Sequence, residues 1–273
     1  MVVIHMEEIQ GDLLTVETLK SDFAKLGVTS EMSLMMHSSM KALGGYVNGG
    51  PVAVILAIEE LLGSSGTLVM PTHTGDLSDP TNWRYPPVRE SWWEPIKQSM
   101  PAFEADLTPC RGMGAINECF RKQNGVMRSN HPQVSFAAWG SKKDSMTANH
   151  SLAYSLSEQS PLARLYEANG WVLLLGVTHN RNTSLHLAEY RANYKGKTEI
   201  ISKAPVLADG EKQWVDFQDI DFDSDDFDQI GEAFERETGY VRRGKVGNAD
   251  ALLMPMKELV DFGVKWMEEN RGR

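Results

Sequence analysis

Apolar residues recur at helical spacing from about Leu13 to Leu26, at Leu14, Leu19, Phe23 and Leu26, and Gly27 follows as a C-terminal capping glycine would. The pattern then changes. SLMMH, Ser33 to His37, is a short apolar run typical of a buried strand. A polar, glycine-rich turn leads to PVAVILAIEELLG, which predicts a helix with Pro51 in its first turn and Gly63 beyond its end. GTLVMP, Gly66 to Pro71, predicts the next strand. Strand, loop, helix, strand over residues 33–71 is a βαβ unit. The sheet is therefore expected to be at least partly parallel and covered by helices.

Residues 72–109 lose this regularity and are rich in Pro and Trp, the mark of a binding loop or lid, or of a surface excursion pinned by its tryptophans. Beyond them GAINECFRK predicts a helix and SFAAWG a strand. SPLARLYEANG predicts a helix ending at Gly170, WVLLLGV a buried strand, and FDQIGEAFERE a further helix. No repeat, flexible linker or low-complexity run divides the chain. The expectation is one α/β domain over residues 1–273, three layers α/β/α around a central mixed, partly parallel sheet.

Composition narrows the class. A chain of 273 residues with 41% hydrophobic content can bury a sizeable core. Its apolar runs, VAVILAI and WVLLLGV, are seven residues each, far below the roughly 20 a membrane span needs. The first twelve residues carry neither a basic start nor a long apolar stretch, so no signal peptide is expected. Cys110 and Cys119 are too few for a disulfide framework. These features predict a cytoplasmic protein with reduced thiols, not associated with membranes. A net charge of −10 argues against a nucleic-acid binder and is compatible with a cationic ligand.

Residues 216–232 hold seven aspartates. Counted from Asp221 as a calcium loop, Glu232 falls at position twelve, but Asp226 stands at six where glycine is needed and Asp228 at eight. The alternative is a solvated acidic turn. The seven histidines show no HExxH spacing, and no CxxC is present, so no metal is expected.

Two features suggest chemistry, and both follow strands. In NTSLHLAEYRA, His186 and Glu189 stand one helical turn apart just past the WVLLLGV strand. A carboxylate at that spacing can hydrogen-bond one imidazole nitrogen and prepare the other as a general base. In an ordinary helix the same pair is a surface salt bridge, but ligands in α/β folds bind beyond the carboxyl ends of strands. Thr183 either caps this helix or aims its hydroxyl at the same site. The second feature, HSSMKALGGYVNGGP, offers hydroxyls and glycine backbone near a helix N-terminus. That suits anionic oxygens such as a coenzyme A pyrophosphate, or it is a plain tight turn.

These stretches occur in a recognisable order: HSSMKALGGYVNGG, GTLVMPT, RSNHPQVSFAAWG, SLSEQSPLARLY and LLLGVTHNRNTSLHLAE. The sequence resembles the aminoglycoside 3-N-acetyltransferase family over most of residues 30–190. The resemblance implies an α/β fold distinct from the other large acetyltransferase superfamily, whose R/Q-x-x-G-x-G/A loop fails here at Ile116 after Arg111 and Gly114. It implies an acyltransferase that moves acetyl from acetyl-CoA, its cosubstrate, to the 3-amino group of an aminoglycoside, as a route to antibiotic resistance. In that role His186 is the base, Glu189 orients it, and Thr183 lies near the thioester. Acetyl-CoA is expected against His37, Ser38, Ser39, Gly44, Gly49, Gly50 and Thr72. Asp76, Asp79, Glu104, Asp221 and Asp223 are candidates for a cationic substrate site. A monomer or homodimer is expected. The rival readings are a same-family enzyme acting on another amine, a metal-dependent hydrolase built on His37, His73, Asp76 and His186, and a ligand-binding relic.

Overall fold

A computed structural model describes Glu8 and residues 10–272. Most of the N-terminal segment read above for a signal peptide lies outside the described residues. The chain begins with β1 (Leu13–Leu14), then α1 (Val16–Leu26), β2 (Ser33–Ser38), β3 (Tyr46–Val47), α2 (Pro51–Leu62) and β4 (Thr67–Pro71). The irregular segment contains α3 (Trp93–Ser99). It is followed by α4 (Ala115–Phe120), β5 (Met127–Arg128), β6 (Phe136–Gly140), α5 (Lys143–Thr147), α6 (Pro161–Glu167), β7 (Trp171–Leu175) and α7 (Ser184–Arg191). The last part comprises β8 (Glu199–Ala208), β9 (Glu211–Ile220), α8 (Phe227–Thr238), β10 (Arg242–Val246), β11 (Ala249–Pro255) and α9 (Met256–Asn270).

The first helix starts later than its periodicity suggests. Leu13–Leu14 pair in parallel with Tyr46–Val47. Thr15 then caps α1 reciprocally, accepting from the Thr18 backbone N–H while the Thr18 hydroxyl accepts from its own N–H at 2.8 Å. Gly27, at φ 106°, closes the helix in the left-handed conformation that glycine adopts without strain.

Seven strands form the central sheet in the order β10-β11-β7-β2-β4-β6-β5. β2 runs parallel to both β4 and β7, while the outer pairings are antiparallel. The βαβ unit read from residues 33–71 is the centre of this sheet. Strand alternation sends successive residues to opposite faces. Leu34, Met36, Leu68, Met70, Leu173 and Leu175 pack against α1 and α2 through Leu19, Phe23, Val54 and Ile58. Met35, Val69, Val172 and Leu174 pack against α7, α8 and α9 through Leu185, Ile230, Phe234 and Leu259. The two apolar clusters make the three-layer α/β/α arrangement, each fully buried large side chain contributing about 1.5–3 kcal/mol.

β2 and β7 are neighbours, yet the chain leaves them in opposite directions. After β2 it crosses by α2 to β4. After β7 it passes along the other face through α7 and α8 to β10 and β11. Such a divergence opens a crevice at the carboxyl ends of the two strands.

A separate hairpin of two ten-residue strands, β8–β9, pairs Glu199 with Ile220 and Ala208 with Glu211. It holds the Trp/Pro-rich segment: Trp214 Nε1 donates to the Lys97 carbonyl at 3.0 Å, and Phe103 N–H donates to the Pro205 carbonyl at 3.1 Å. The acidic run is accordingly not a plain solvated turn. Its first residues end β9, and Asp219 is buried, accepting from Ser155 Oγ at 2.6 Å and from the Tyr190 hydroxyl. Among the described residues no helix is long and apolar enough to cross a membrane.

Candidate active site

A cavity of about 490 Å³ occupies the crevice. The end of β2 and the segment after it line it with His37, Ser38, Ser39 and Lys41; the segment after β7 contributes Arg181 and Thr183, and residues 112–117 close the third side. α4 is pinned there because Asn117 Nδ2 donates to the Pro71 carbonyl at 2.8 Å, while Ser38 Oγ reaches Asn117 Oδ1 at 3.4 Å. Thr183 makes no side-chain capping bond. The amide of Ser184 is instead satisfied by Asn182 Oδ1 at 3.2 Å, which leaves the Thr183 hydroxyl to the cavity.

One turn into α7, His186 Nδ1 lies 2.8 Å from Glu189 Oε2. Glu189 is fully buried. Burial alone would push its carboxyl up, but the His186 ring, the Asp223 backbone N–H and the Arg271 guanidinium together hold it below the ordinary value. An ionised Glu189 can only accept, so His186 Nδ1 donates to it and the lone pair of the neutral ring would lie on Nε2. Nε2 makes no hydrogen bond among the described residues. Phe222 and Phe227 fix the ring from two sides, with centroids 4.9 and 4.8 Å away. The carboxylate and the two aromatic rings therefore hold the imidazole in one orientation.

Around it lie further histidines, all neutral. Burial, then the neighbouring His179 and His186, lowers His37 to about 3. His73 is held well below 6.5 by burial and nearby histidines, and burial takes His179 to about 4. The Nε2 atoms of these three rings are buried without a hydrogen-bond partner. Among the described residues no three of His, Cys, Asp or Glu are grouped to hold a metal ion.

The remaining sequence candidates are dispersed. Gly44 lines a shallower groove that shares Met40 and Lys41 with the main cavity. Gly49 and Gly50, at φ 87° and 57°, form the turn into α2. Thr72 is buried below the crevice, where its hydroxyl and carbonyl accept from Arg128 at 3.1 and 2.6 Å. Asp76 lies with His73, Trp83, Arg84 and Arg111 around a second cavity of about 400 Å³, which shares Met113 with the first. Asp79 is buried, capping Thr81 and pairing with Lys97 at 3.1 Å. Glu104 borders a different cavity, beside His150 and Val206. Asp221 and Asp223 lie behind the pair, around a cavity lined by Tyr194, Asp226 and Arg271.

Sequence reading misses Arg271, which stands 82 residues from Glu189 and bonds it at 2.7 Å. It also misses Arg128, whose half-buried guanidinium joins the Ala105, Thr108 and Thr72 carbonyls. Nothing in local spacing could reveal either contact.

The model of the aminoglycoside 3-N-acetyltransferase family matches residues 35–268. The chain belongs to this family. It is 43% identical over 261 residues to the SPbeta prophage-derived aminoglycoside N(3')-acetyltransferase-like protein YokD of Bacillus subtilis, over 95% of this chain and 94% of that one. It is 38% identical over 270 residues to aminoglycoside N(3)-acetyltransferase VII of Streptomyces paromomycinus, over 93% and 92% of the two chains. The crystal structure of the YokD protein matches with a TM-score of 0.93 at 41% identity over 97% of each chain. Two further family structures match at TM-scores of 0.84 and 0.85. AAC-IIIb, a binary complex with CoASH, is 30% identical over 94% of this chain and 97% of its own. AAC-VIa, bound to sisomicin, is 29% identical over 96% and 100%. Family membership makes the chain an acyltransferase enzyme, and its three-layer fold is that of its relatives.

Proposed function

We propose that the protein transfers acetyl directly from acetyl-CoA to the 3-amino group of an aminoglycoside, with His186 as general base and Glu189 as its partner. The observation that carries this reading is the 2.8 Å bond from His186 Nδ1 to a buried carboxylate, on the helix whose first turn follows Thr183 of the strand-end crevice. Relatives that bind CoASH and sisomicin support the two substrates. The cavity fits a slender acyl donor: Ser38, Ser39 and Thr183 offer hydroxyls, and Lys41 and Arg181 offer positive charge suited to phosphates.

An ammonium has no lone pair, so His186 Nε2 takes the proton of the acceptor amine. The freed nitrogen attacks the thioester carbonyl, a C–N bond forms and the C–S bond breaks. Glu189 stabilises the imidazolium meanwhile, His186 returns that proton to the departing thiolate, and the second proton on the acylated nitrogen leaves to solvent as the neutral amide forms. Thr183 donates to the oxygen that gains charge during transfer. No covalent acyl-enzyme is needed, and burial raises the Cys110 thiol to about 11, which makes it a poor nucleophile.

The test is thiol release from acetyl-CoA with a panel of aminoglycosides, followed by NMR location of the acetyl group. Turnover with acetyl at the 3-amino position is expected. Binding of acetyl-CoA without turnover on any member of the panel would overturn the aminoglycoside assignment in favour of another amine.

A further inference from the structure

Glu189 uses one carboxylate oxygen on His186. The other, Oε1, sits among three donors: Arg271 at 2.7 Å, the Asp223 backbone N–H at 2.8 Å and the Tyr194 hydroxyl at 3.3 Å. Arg271 follows α9. Its fork also donates to both oxygens of Asp226, at 2.7 and 2.6 Å, and to the Asp223 carbonyl at 2.9 Å. The guanidinium lies over the Tyr194 ring, 5.0 Å from its centroid, and is largely buried. Arg271 does not line the 490 Å³ cavity. It can reach the reaction only through Glu189.

The charge arithmetic gives it a task. A buried carboxylate beside an imidazole, left alone, holds the imidazolium by ion pairing. A base kept protonated has no lone pair to offer. We infer that Arg271 is a positioning residue of the His186–Glu189 pair, fixing Glu189 and offsetting its charge so that His186 stays free to take a proton. This rests on the reading of His186 as the base.

The other groups around the pair do not supply that charge directly. On α7 the remaining charged residue, Arg191, pairs with Glu158 instead. Lys197, just after α7, donates to the Tyr190 and Ala192 carbonyls and acts on Glu189 only as a charge through space, without a hydrogen bond to it. The acidic segment contributes Asp223 and Asp226 with the rings of Phe222 and Phe227, and His37 and His73 across the crevice are neutral. Among the described residues Arg271 is the cation hydrogen-bonded to Glu189.

The experiment compares pH–rate profiles of wild type, Arg271→Gln, Asp226→Asn and Tyr194→Phe, with melting temperatures at each pH and KM for acetyl-CoA. Arg271→Gln removes positive charge and should move the acid limb upward by on the order of one pH unit, with activity recovering in alkaline buffer. Asp226→Asn leaves Arg271 in place and removes a negative charge, so its limb should move downward. Tyr194→Phe removes a neutral donor and should leave the limb where it was. The KM for acetyl-CoA should stay near wild type in all three. A rate loss of equal factor at every pH, or limbs that do not separate in opposite directions, would overturn the inference. If Arg271→Gln does not fold, the downward shift in Asp226→Asn decides alone. His186→Ala is run beside them: an active His186→Ala enzyme removes the base assignment itself, whereas an inactive one with unshifted variants removes only the role of Arg271.

Discussion

Residue by residue, the proposed chemistry depends on what lies behind the imidazole as much as on the ring. His186 is not among the residues that line the 490 Å³ cavity. Replacing it with alanine should therefore cost on the order of 10² to 10⁴ in kcat while coenzyme A binding, measured by calorimetry, stays near wild type. A variant that keeps more than a tenth of wild-type kcat would contradict the role. Glu189→Gln should lower both rate and stability. Its amide cannot accept from His186, Arg271, Tyr194 and the Asp223 N–H as the carboxylate does. Breaking a buried ion pair by removing one partner typically costs about 3–5 kcal/mol, which urea unfolding would read. Unchanged stability would show that the cage around Oε1 contributes little.

Among the elements, α8 decides how the far wall of the crevice is held. Gly231 lies within this helix, and a Cβ there would stand 2.1 Å from His179 Cγ. The helix can approach the buried His179 ring only because that position has no side chain. Gly231→Ala improves helix propensity by up to about 1 kcal/mol. Overpacking against a ring confined by the core costs about 1–3 kcal/mol. The clash should win, giving a net loss in urea unfolding and a lower melting temperature. A stabilised variant would mean that α8 can shift away freely. The hairpin β8–β9 acts similarly as a scaffold, since it holds the Trp/Pro-rich segment through Trp214 and Phe103.

Over the whole molecule, buried neutral histidines set the response to acid. Burial depresses His37 and His150 to about 3, and His131 and His179 to about 4, from 6.5. The unfolded chain takes up these protons near 6.5 and the folded chain does not. Their contribution is thus complete above that value and is lost as pH falls from there toward 4. At about 1.4 kcal/mol per pH unit for each group, four such residues can offset a typical stability of about 5–15 kcal/mol. Urea titrations between pH 7 and 4 should show a steep decline; a flat profile would contradict it. The net charge of −10 carries a second expectation. If acidic groups such as the half-buried Asp76 and the exposed Glu104, Asp221 and Asp223 draw in a polycationic acceptor, its KM should rise with salt, because the field is screened over about 8 Å at physiological ionic strength. The KM for acetyl-CoA, an anion, should not rise in parallel. An acceptor KM independent of salt would leave those residues without a part in substrate capture.

Local pattern carried the middle of the fold. The 33–71 βαβ unit, the strands at 136–140 and 171–175, and the helices at 115–120, 161–167 and 227–238 follow from periodicity, Pro51 and the flanking glycines, because burial of one face dictates spacing along the chain. The His186–Glu189 contact was legible for the same reason, since residues one helical turn apart share a face. The hairpin β8–β9 was not: its strands mix exposed charge with scattered apolar residues, so no clean alternation marks them. Neither was the true start of α1, where pairing with Tyr46–Val47 took Leu13–Leu14 out of the helix. Only the tertiary structure brought Arg271, Asp223 and Tyr194 to Glu189. It sent Asp79 to Lys97 and Thr72 to Arg128, away from the cavity lining. Contacts between residues far apart in sequence depend on how whole elements pack, and no spacing within the chain encodes them.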